Sequence, residues 1–268
     1  MRFRPTVTLF AVAILTLASC ADDPEVGAPG TTTTTTLSST TTTTTTTGDD
    51  PGSGVDDTAP PVTVETADDT VRAWVDALAE GDLEVAWDLT AERSRVAIGG
   101  FEAFTDLRSA LAEGFGAWSG ADDATFSVVP LETGGDEALS VVILRGTIAR
   151  EGPPTPAAAG VPVRTNGGGS LVEPFLDLGA VEHQPPPGTA IPADPTLEAF
   201  VPALRNVRFV VDDRGAEDPA TEGADGDQQR ASLEPGVPLE PGPHSLTVVL
   251  TTPEGEVATS TALYFVEG

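Results

Sequence analysis

Lysine is absent from the sequence, and all thirteen basic residues are arginine. A Walker A loop, a Schiff-base aldolase, a pyridoxal enzyme and a protein kinase all depend on a lysine amine, so these classes are excluded. The formal net charge is -29, and such a surface repels a phosphate backbone. Nucleic acid is therefore excluded as a partner.

Cysteine and histidine are almost absent as well. Cys20 is the single cysteine, so the rest of the chain has no disulfide, no thiol nucleophile and no cysteine-ligated zinc. The two histidines, His183 and His244, are too few for a histidine-based metal site. G-x-S-x-G, H-E-x-x-H, G-x-G-x-x-G and P-loop motifs are also missing. We therefore predict no catalytic residue, no metal and no cofactor.

Residues 1–19 have the layout of an export signal. Arg2 and Arg4 precede an apolar stretch at 6–17, which is shorter than the roughly 20 residues that span a bilayer. The run Leu17-Ala18-Ser19-Cys20 resembles the lipobox of bacterial lipoproteins. This resemblance implies that Cys20 carries diacylglycerol and becomes the mature N-terminus, which places the protein outside the cytoplasm on a membrane anchor. The alternative is an ordinary secretory signal.

Residues 20–66 are predicted to be the lipidated cysteine and a disordered linker. The tracts 31–36 and 40–47 are almost pure threonine, and such a segment cannot bury enough apolar surface to fold. Drawn out fully, the linker would reach ~150 Å. A bare spacer and an O-glycosylated stalk both remain open.

Residues 67–182 begin with helical patterns and continue with strand patterns. Three helices are predicted, of which the third covers 101–113, and four strands follow, at 125–131, 138–150, 161–165 and 170–175. Helices followed by hairpin-linked strands predict an α+β unit with helices on one face of an antiparallel sheet.

Three segments of this region resemble the NTF2-like (SnoaL-like) family. They are Gly81-Asp82 between the first two helices, Gly99-Gly100-Phe101 before the third, and the closing stretch 161–175. The resemblance implies a cone in which helices and a curved sheet enclose a pocket, and family enzymes place an Asp–His pair, or tyrosine with acids, inside it. This sequence departs from that pattern, because 67–182 contains neither histidine nor tyrosine.

Two sets of side chains are candidates for such a pocket. Trp118, Trp87 and Trp74 could line it for an apolar ligand, although Trp74 and Trp87 also have the spacing of core residues. A lone buried carboxylate could act as a base. The carboxylates considered are Asp76, Asp88, Asp106 and Glu132, and solvated helix faces are the alternative for each.

Residues 188–268 show the period-two alternation of antiparallel strands. The stretch Leu239-Glu240-Pro241-Gly242-Pro243-His244 and the strand after it resemble bacterial Ig-like domains, which implies an all-β sandwich in which His244 has a structural role. His183 and the prolines after it indicate a linker between the two regions. The acidic segment 212–229 could offer oxygen ligands to calcium, but its spacing favours a disordered, solvated loop.

These features together predict a non-catalytic binding or interaction module displayed at the cell envelope. Its partners would be the membrane, through the lipid, and an envelope protein or glycan. One alternative is an NTF2-like enzyme, an isomerase or dehydratase acting on a small apolar substrate. Another is a structural accessory of cell-wall assembly that docks through the Ig-like domain. The sequence gives no indication of oligomeric state.

Overall fold

The computed structural model describes residues 36–38, 66–131, 137–149, 153–176, 178–203, 205–223 and 227–268. The export signal, Cys20 and almost all of the threonine-rich linker therefore lie outside the described residues. Strand β1 (Thr36–Ser38) and Thr66 are the described parts of that linker. Within these ranges, no helix combines the length and the apolar composition that crossing a bilayer requires.

Five short helices open the folded part. They are α1 (Ala67–Glu80), α2 (Leu83–Asp88), α3 (Glu92–Ile98), α4 (Phe101–Asp106) and α5 (Arg108–Gly114), followed by a 3₁₀ turn at Gly116–Trp118. Helix α1 begins where Thr66 accepts a hydrogen bond from the Asp69 amide, and it ends at Gly81, whose φ is 78°. Its buried face carries Val71, Trp74 and Leu78, as the predicted helical spacing requires.

A four-stranded antiparallel sheet follows, in the order β2-β3-β4-β5. Its strands are β2 (Thr125–Leu131), β3 (Ala138–Ile148), β4 (Thr155–Asn166) and β5 (Gly169–Val172). The helices cover one face of this sheet, where Trp74 and Phe104 pack with Leu144, Val161 and Val163 in one core. Residues 66–176 are called the helical unit below.

The remaining strands form two further sheets, one of which also includes β1, and residues 178–268 are called the β unit. The strands are β6 (Glu182–Gln184), β7 (Ala190–Ile191), β8 (Leu197–Pro202), β9 (Asn206–Val211), β10 (Ala216–Glu217), β11 (Ala220–Gly223), β12 (Gln228–Leu233), β13 (Gly242–Thr251) and β14 (Val257–Val266). One sheet has the order β11-β12-β8-β6. The other has the order β1-β14-β13-β9-β10, and β7 pairs parallel with β14. The two sheets pack face to face around Leu197, Val201, Phe209, Leu246 and Tyr264.

The described chain thus consists of few helices and mostly antiparallel sheets, as an α+β protein does, but three local predictions were wrong. The predicted third helix is two helices that meet at Leu107, and α3 was not predicted because its residues are mostly exposed. Strand β4 begins at Thr155, six residues early, because β3 pairs along its whole length in spite of Pro156. Tertiary pairing here overrides weak local propensity.

Two segments of the β unit also differ from the predictions. The stretch at His183, interpreted as a linker, forms β6, because His183 pairs with Ala199 of β8 and points into the protein. The segment 212–229, expected to be a disordered loop, contains β10, β11 and the start of β12. All four residues of β11 are exposed at a sheet edge, where Glu222 places a charge on the edge strand.

The two units share a third apolar core, which involves the face of the first sheet that the helices do not cover. Val141 and Ile143 of β3 pack there against Val210, Val249 and Val257 of the β unit. Gly160 of β4 comes so close that an added Cβ would lie 2.7 Å from Thr247 Cγ2. We therefore describe the units as layers of one folded body, in the order helices, sheet, sheet, sheet.

Candidate functional site

The three tryptophans proposed as pocket residues lie in the core of the helical unit. Trp74 is fully buried, and its indole N–H donates to Thr90 Oγ1 at 3.1 Å. Its ring lies 5.1 Å from that of Phe115, between centroids. Trp118 is buried in the same core, and Trp87 packs at its edge, 5.2 Å from Phe104. These contacts are those of core side chains; that the rings line a ligand pocket stays a prediction.

The proposed carboxylate bases lie on the surface. Asp76, Asp88 and Asp106 are exposed. Asp76 accepts a hydrogen bond from Ser119 Oγ at 2.6 Å, and Asp88 lies 3.7 Å from an Arg95 nitrogen. These three therefore belong to solvated helix faces, and Glu132 lies outside the described residues. Among the described residues the buried carboxylates are Glu173, which the sequence did not single out, and Asp212, which was considered only as part of the acidic segment 212–229.

A groove of about 870 Å³ runs along one end of the junction between the two units. Strands β2, β3 and β4 supply one wall, and the other comes from the start of β9, the β10–β11 region, β12 and the β13–β14 hairpin. Its charged residues are Glu137, Arg164, Arg205, Arg208 and Asp218. Its polar uncharged residues are Asn206, Thr221, Gln229, Thr251 and Thr252. A groove of this size is within the range of small-ligand sites.

Arg164 fixes one wall of the groove and joins the two units. Its Nε lies 3.1 Å from Glu173 Oε1, its Nη1 lies 3.2 Å from Glu137 Oε2, and its Nη2 donates to the Gly255 carbonyl at 2.6 Å. The side chain is almost fully buried, and Glu173 is completely so. An arginine with three acceptors on three sides is a structural cation, because its donors are committed to the protein.

Arg205 and Arg208 flank the start of β9 and differ in their partners. Arg208 Nε lies 3.2 Å from Asp218 Oδ1. Arg205 is half-buried, and within the part of the chain that the structure describes it has no carboxylate partner and no acceptor for its buried Nε–H. Its backbone is held in place because Gln229 Nε2 donates to the Arg205 carbonyl at 2.8 Å. Arg205 is therefore the groove cation whose charge the described residues leave uncompensated.

An Asp–His pair exists at the opposite end of the junction. Asp212, at φ 56°, accepts from the Ser245 amide at 3.0 Å and lies 2.8 Å from His244 Nδ1. Arg145 of the helical unit approaches the same carboxylate at 3.3 Å. The other ring nitrogen of His244 lies 2.6 Å from the Glu240 carbonyl oxygen. Both ring nitrogens are thus occupied by protein acceptors, so this pair has no nitrogen available to a substrate.

His183 is the second histidine, and burial dominates its chemistry. Its Nε2 lies 2.9 Å from Ser260 Oγ, whereas no partner of its buried Nδ1 is found among the described residues. Burial lowers the pKa of His183 to about 4, because desolvation disfavours the charged ring. The side chain is therefore neutral at neutral pH. Across the described ranges, no three His, Cys, Asp or Glu side chains are grouped to hold a metal ion.

The groove was not predicted, because its walls come from segments that lie far apart in the sequence. One local signal existed in β4. Val161 and Val163 face the helices, so the alternation of a strand sends Arg164 to the opposite face. A charged residue on the second face of an antiparallel strand is also typical of a solvated face, so this signal alone does not identify the β unit as the covering layer.

Two comparisons with known proteins give no assignment for this chain. No protein-family model matches it, and no curated protein is significantly similar to it in sequence.

Proposed function

We propose that the chain is an extracytoplasmic lipoprotein, anchored through Cys20, that acts as a non-catalytic binding module at the cell envelope and binds its ligand in the groove between its two units. The observation that carries this proposal is the groove itself. It combines a volume of about 870 Å³ with a lining of polar side chains and an arginine whose charge the described residues leave uncompensated, and these are features of a binding site.

The non-catalytic part of the proposal is supported by the side chains that could act as acids or bases, because their polar atoms already contact protein groups. The Asp212–His244 pair has both ring nitrogens occupied, and Arg164 is held by protein acceptors. General acid–base catalysis needs a titratable group within reach of substrate and able to exchange a proton with it. No histidine is among the described residues that line the groove with the carboxylates Glu137 and Asp218.

For the fold we propose an NTF2-like helical unit followed by an Ig-like β unit. The first assignment is supported by the order of helices and strands and by the helices lying on one face of a four-stranded antiparallel sheet. The second is supported by two antiparallel sheets that pack face to face, with His244 near the start of β13. Trp74, Phe104 and Phe115 pack between the helices and the sheet of the helical unit. We therefore place the binding site at the junction of the two units.

The anchor is tested by metabolic labelling with palmitate. Wild-type protein should incorporate label and remain with the membrane, whereas Cys20→Ser should be unlabelled and shed. Protease added to intact cells should degrade the protein, because the proposal places it outside the membrane. An unlabelled wild-type protein, or one protected inside the cell, would contradict the anchor and the location.

The binding function is tested with purified envelope glycan and the mature full-length chain in a co-sedimentation assay. Thr221 is exposed on β11 and lines the groove, so Thr221→Trp should fill the groove and reduce binding severalfold. Val96 is exposed on α3, away from the groove, and Val96→Trp is the matched control. Equal binding by both variants would show that the groove is not the binding surface. Turnover of the bound material would favour the enzyme alternative.

A further inference from the structure

We infer that the groove binds a small hydroxylated carboxylate, a ligand of the acidic-sugar class, with Arg205 as the group that holds the carboxylate. The inference rests on the proposed function, because it assumes that the groove is the binding surface. It adds the chemistry of the ligand, which follows from how the charged and polar residues of the groove are partnered.

The first argument is the distribution of charge in the groove. Arg164 has two carboxylate partners, and Arg208 has Asp218. Arg205 has none among the described residues, and its buried Nε–H lacks an acceptor there. Arg205 is only half-buried and lines the groove, so an incoming oxyanion can pair with a guanidinium that no described carboxylate neutralises. A guanidinium matches a carboxylate through two parallel hydrogen bonds.

The second argument is the character of the other side chains. Asn206, Thr221, Thr251 and Thr252 offer amide and hydroxyl groups along the groove. Such groups both donate and accept hydrogen bonds, as sugar hydroxyls do. Leu131 and Leu139 of the helical unit and Val207 of the β unit add apolar surface, against which the carbon skeleton of a sugar ring can pack. A polar ring with one carboxylate fits this lining better than an apolar ligand or a bare inorganic ion.

The third argument sets the charge of the ligand. The chain carries a net charge of -29, and Glu137 and Asp218 lie in the groove itself. A polyanion would meet repulsion from the whole surface, whereas a single carboxylate meets one uncompensated arginine at short range. The ligand is therefore a monoanion, which separates this site from sites for nucleic acid or polyphosphate.

The test is isothermal titration of the mature full-length chain with D-glucuronate, D-glucose and inorganic phosphate. Glucose has the same ring without the charge, and phosphate has the charge without the ring. Glucuronate should bind roughly tenfold tighter than either. Equal affinity for glucose would remove the role of the carboxylate, and equal affinity for phosphate would remove the role of the hydroxylated ring. Either result, or no binding of glucuronate, overturns the inference.

Two arginine variants locate the site. Arg205→Gln should weaken glucuronate binding about tenfold, and Arg205→Lys should be intermediate, because lysine keeps the charge without the paired donors. Arg214 is exposed and donates to the Val237 carbonyl outside the groove, so Arg214→Gln is the matched control and should bind like wild type. Unchanged binding by Arg205→Gln would overturn the assignment. If glucose binds equally well and Thr221→Trp abolishes that binding, the groove stands and only the carboxylate inference fails.

Discussion

The two faces of the first sheet have opposite chemistry, although the same strands form both. The helix-covered face packs Trp74, Phe104 and Phe115 into an aromatic core. The other face packs valines and Gly160 closely against the β unit, and its edge opens into the polar groove with Arg164. Period-two alternation along β4 is sufficient to produce this difference.

The comparison teaches that the groove belongs to the junction and not to either unit alone. The helical unit supplies Arg164 and Glu137 to the groove, and the β unit supplies Arg205, Asn206 and the hairpin that carries Gly255. Removing either unit would remove one wall. Substitutions on the two faces should therefore differ in kind: changes in the aromatic core should affect stability, whereas changes at the groove should affect binding.

The largest expected effect is in the aromatic core. Trp74→Ala removes a fully buried ring together with its hydrogen bond to Thr90, so we expect a loss of about 4 kcal/mol in the free energy of unfolding, measured by urea titration. Arg205→Gln is the comparison at the groove and should stay within about 0.5 kcal/mol of wild type. A loss below about 1 kcal/mol for Trp74→Ala would mean that the helix-covered face is loosely packed and accessible to a ligand.

The next largest effect concerns the Arg164–Glu173 pair at the edge of the groove. Arg164→Met removes the guanidinium 3.1 Å from the buried Glu173 carboxylate, and we expect a loss of about 3 kcal/mol. The double variant Arg164→Met/Glu173→Leu should recover much of this loss in the same urea titration, because no buried charge then remains. If the single variant is as stable as wild type, the Arg164–Glu173 pair does not stabilise the protein in solution.

Lowering the pH should reduce the free energy of unfolding by a similar amount, because His183 is buried in its neutral form. The folded pKa of about 4 lies below the ordinary value of 6.5, so the unfolded chain binds the proton more readily. The contribution of neutral His183 to the free energy of unfolding is fully present above pH 6.5. It is lost as the pH falls to about 4, and the whole loss is about 3 kcal/mol. Urea midpoints measured at both pH values should show this loss in wild type and a smaller one in His183→Gln. Equal losses would contradict the burial of His183.

The smallest of these effects tests the packing between the units. In Gly160→Ala the new methyl lies 2.7 Å from Thr247 Cγ2, which should cost about 2 kcal/mol. Thr247→Ser removes that methyl group and keeps the hydroxyl that contacts Thr261, so it should rescue Gly160→Ala. Thermal unfolding of the two single variants and the double variant measures this coupling. Additive effects would show that β4 and β13 are not in contact.

The elements that could be predicted from sequence are those with strong local patterns. Helix α1 has a cap, a buried face with helical spacing and a terminal glycine, and β2 has the bounds that its alternation predicts. Helix α3 and the first half of β4 were missed. Helix α3 has no continuous apolar face. The first half of β4 consists largely of proline and alanine, and it is a strand because the long strand β3 pairs with it. Their structure depends on tertiary contacts that no local window contains.

The candidate site was even less predictable. Arg164 and Arg205 lie forty-one positions apart and meet only because β4 packs on the sheet that contains β9. The sequence could not indicate that two units share a core, since a strand with two apolar faces resembles any buried strand.

The central claim, that the two units form one body, is tested most directly by fluorine NMR during urea unfolding. All three tryptophans lie in the helical unit and the single tyrosine, Tyr264, lies in the β unit, so fluorotryptophan and fluorotyrosine report on the units separately. A shared core predicts that both sets of native signals disappear at the same urea concentration. Loss of one set while the other remains native would contradict the claim, and with it a groove built from both units.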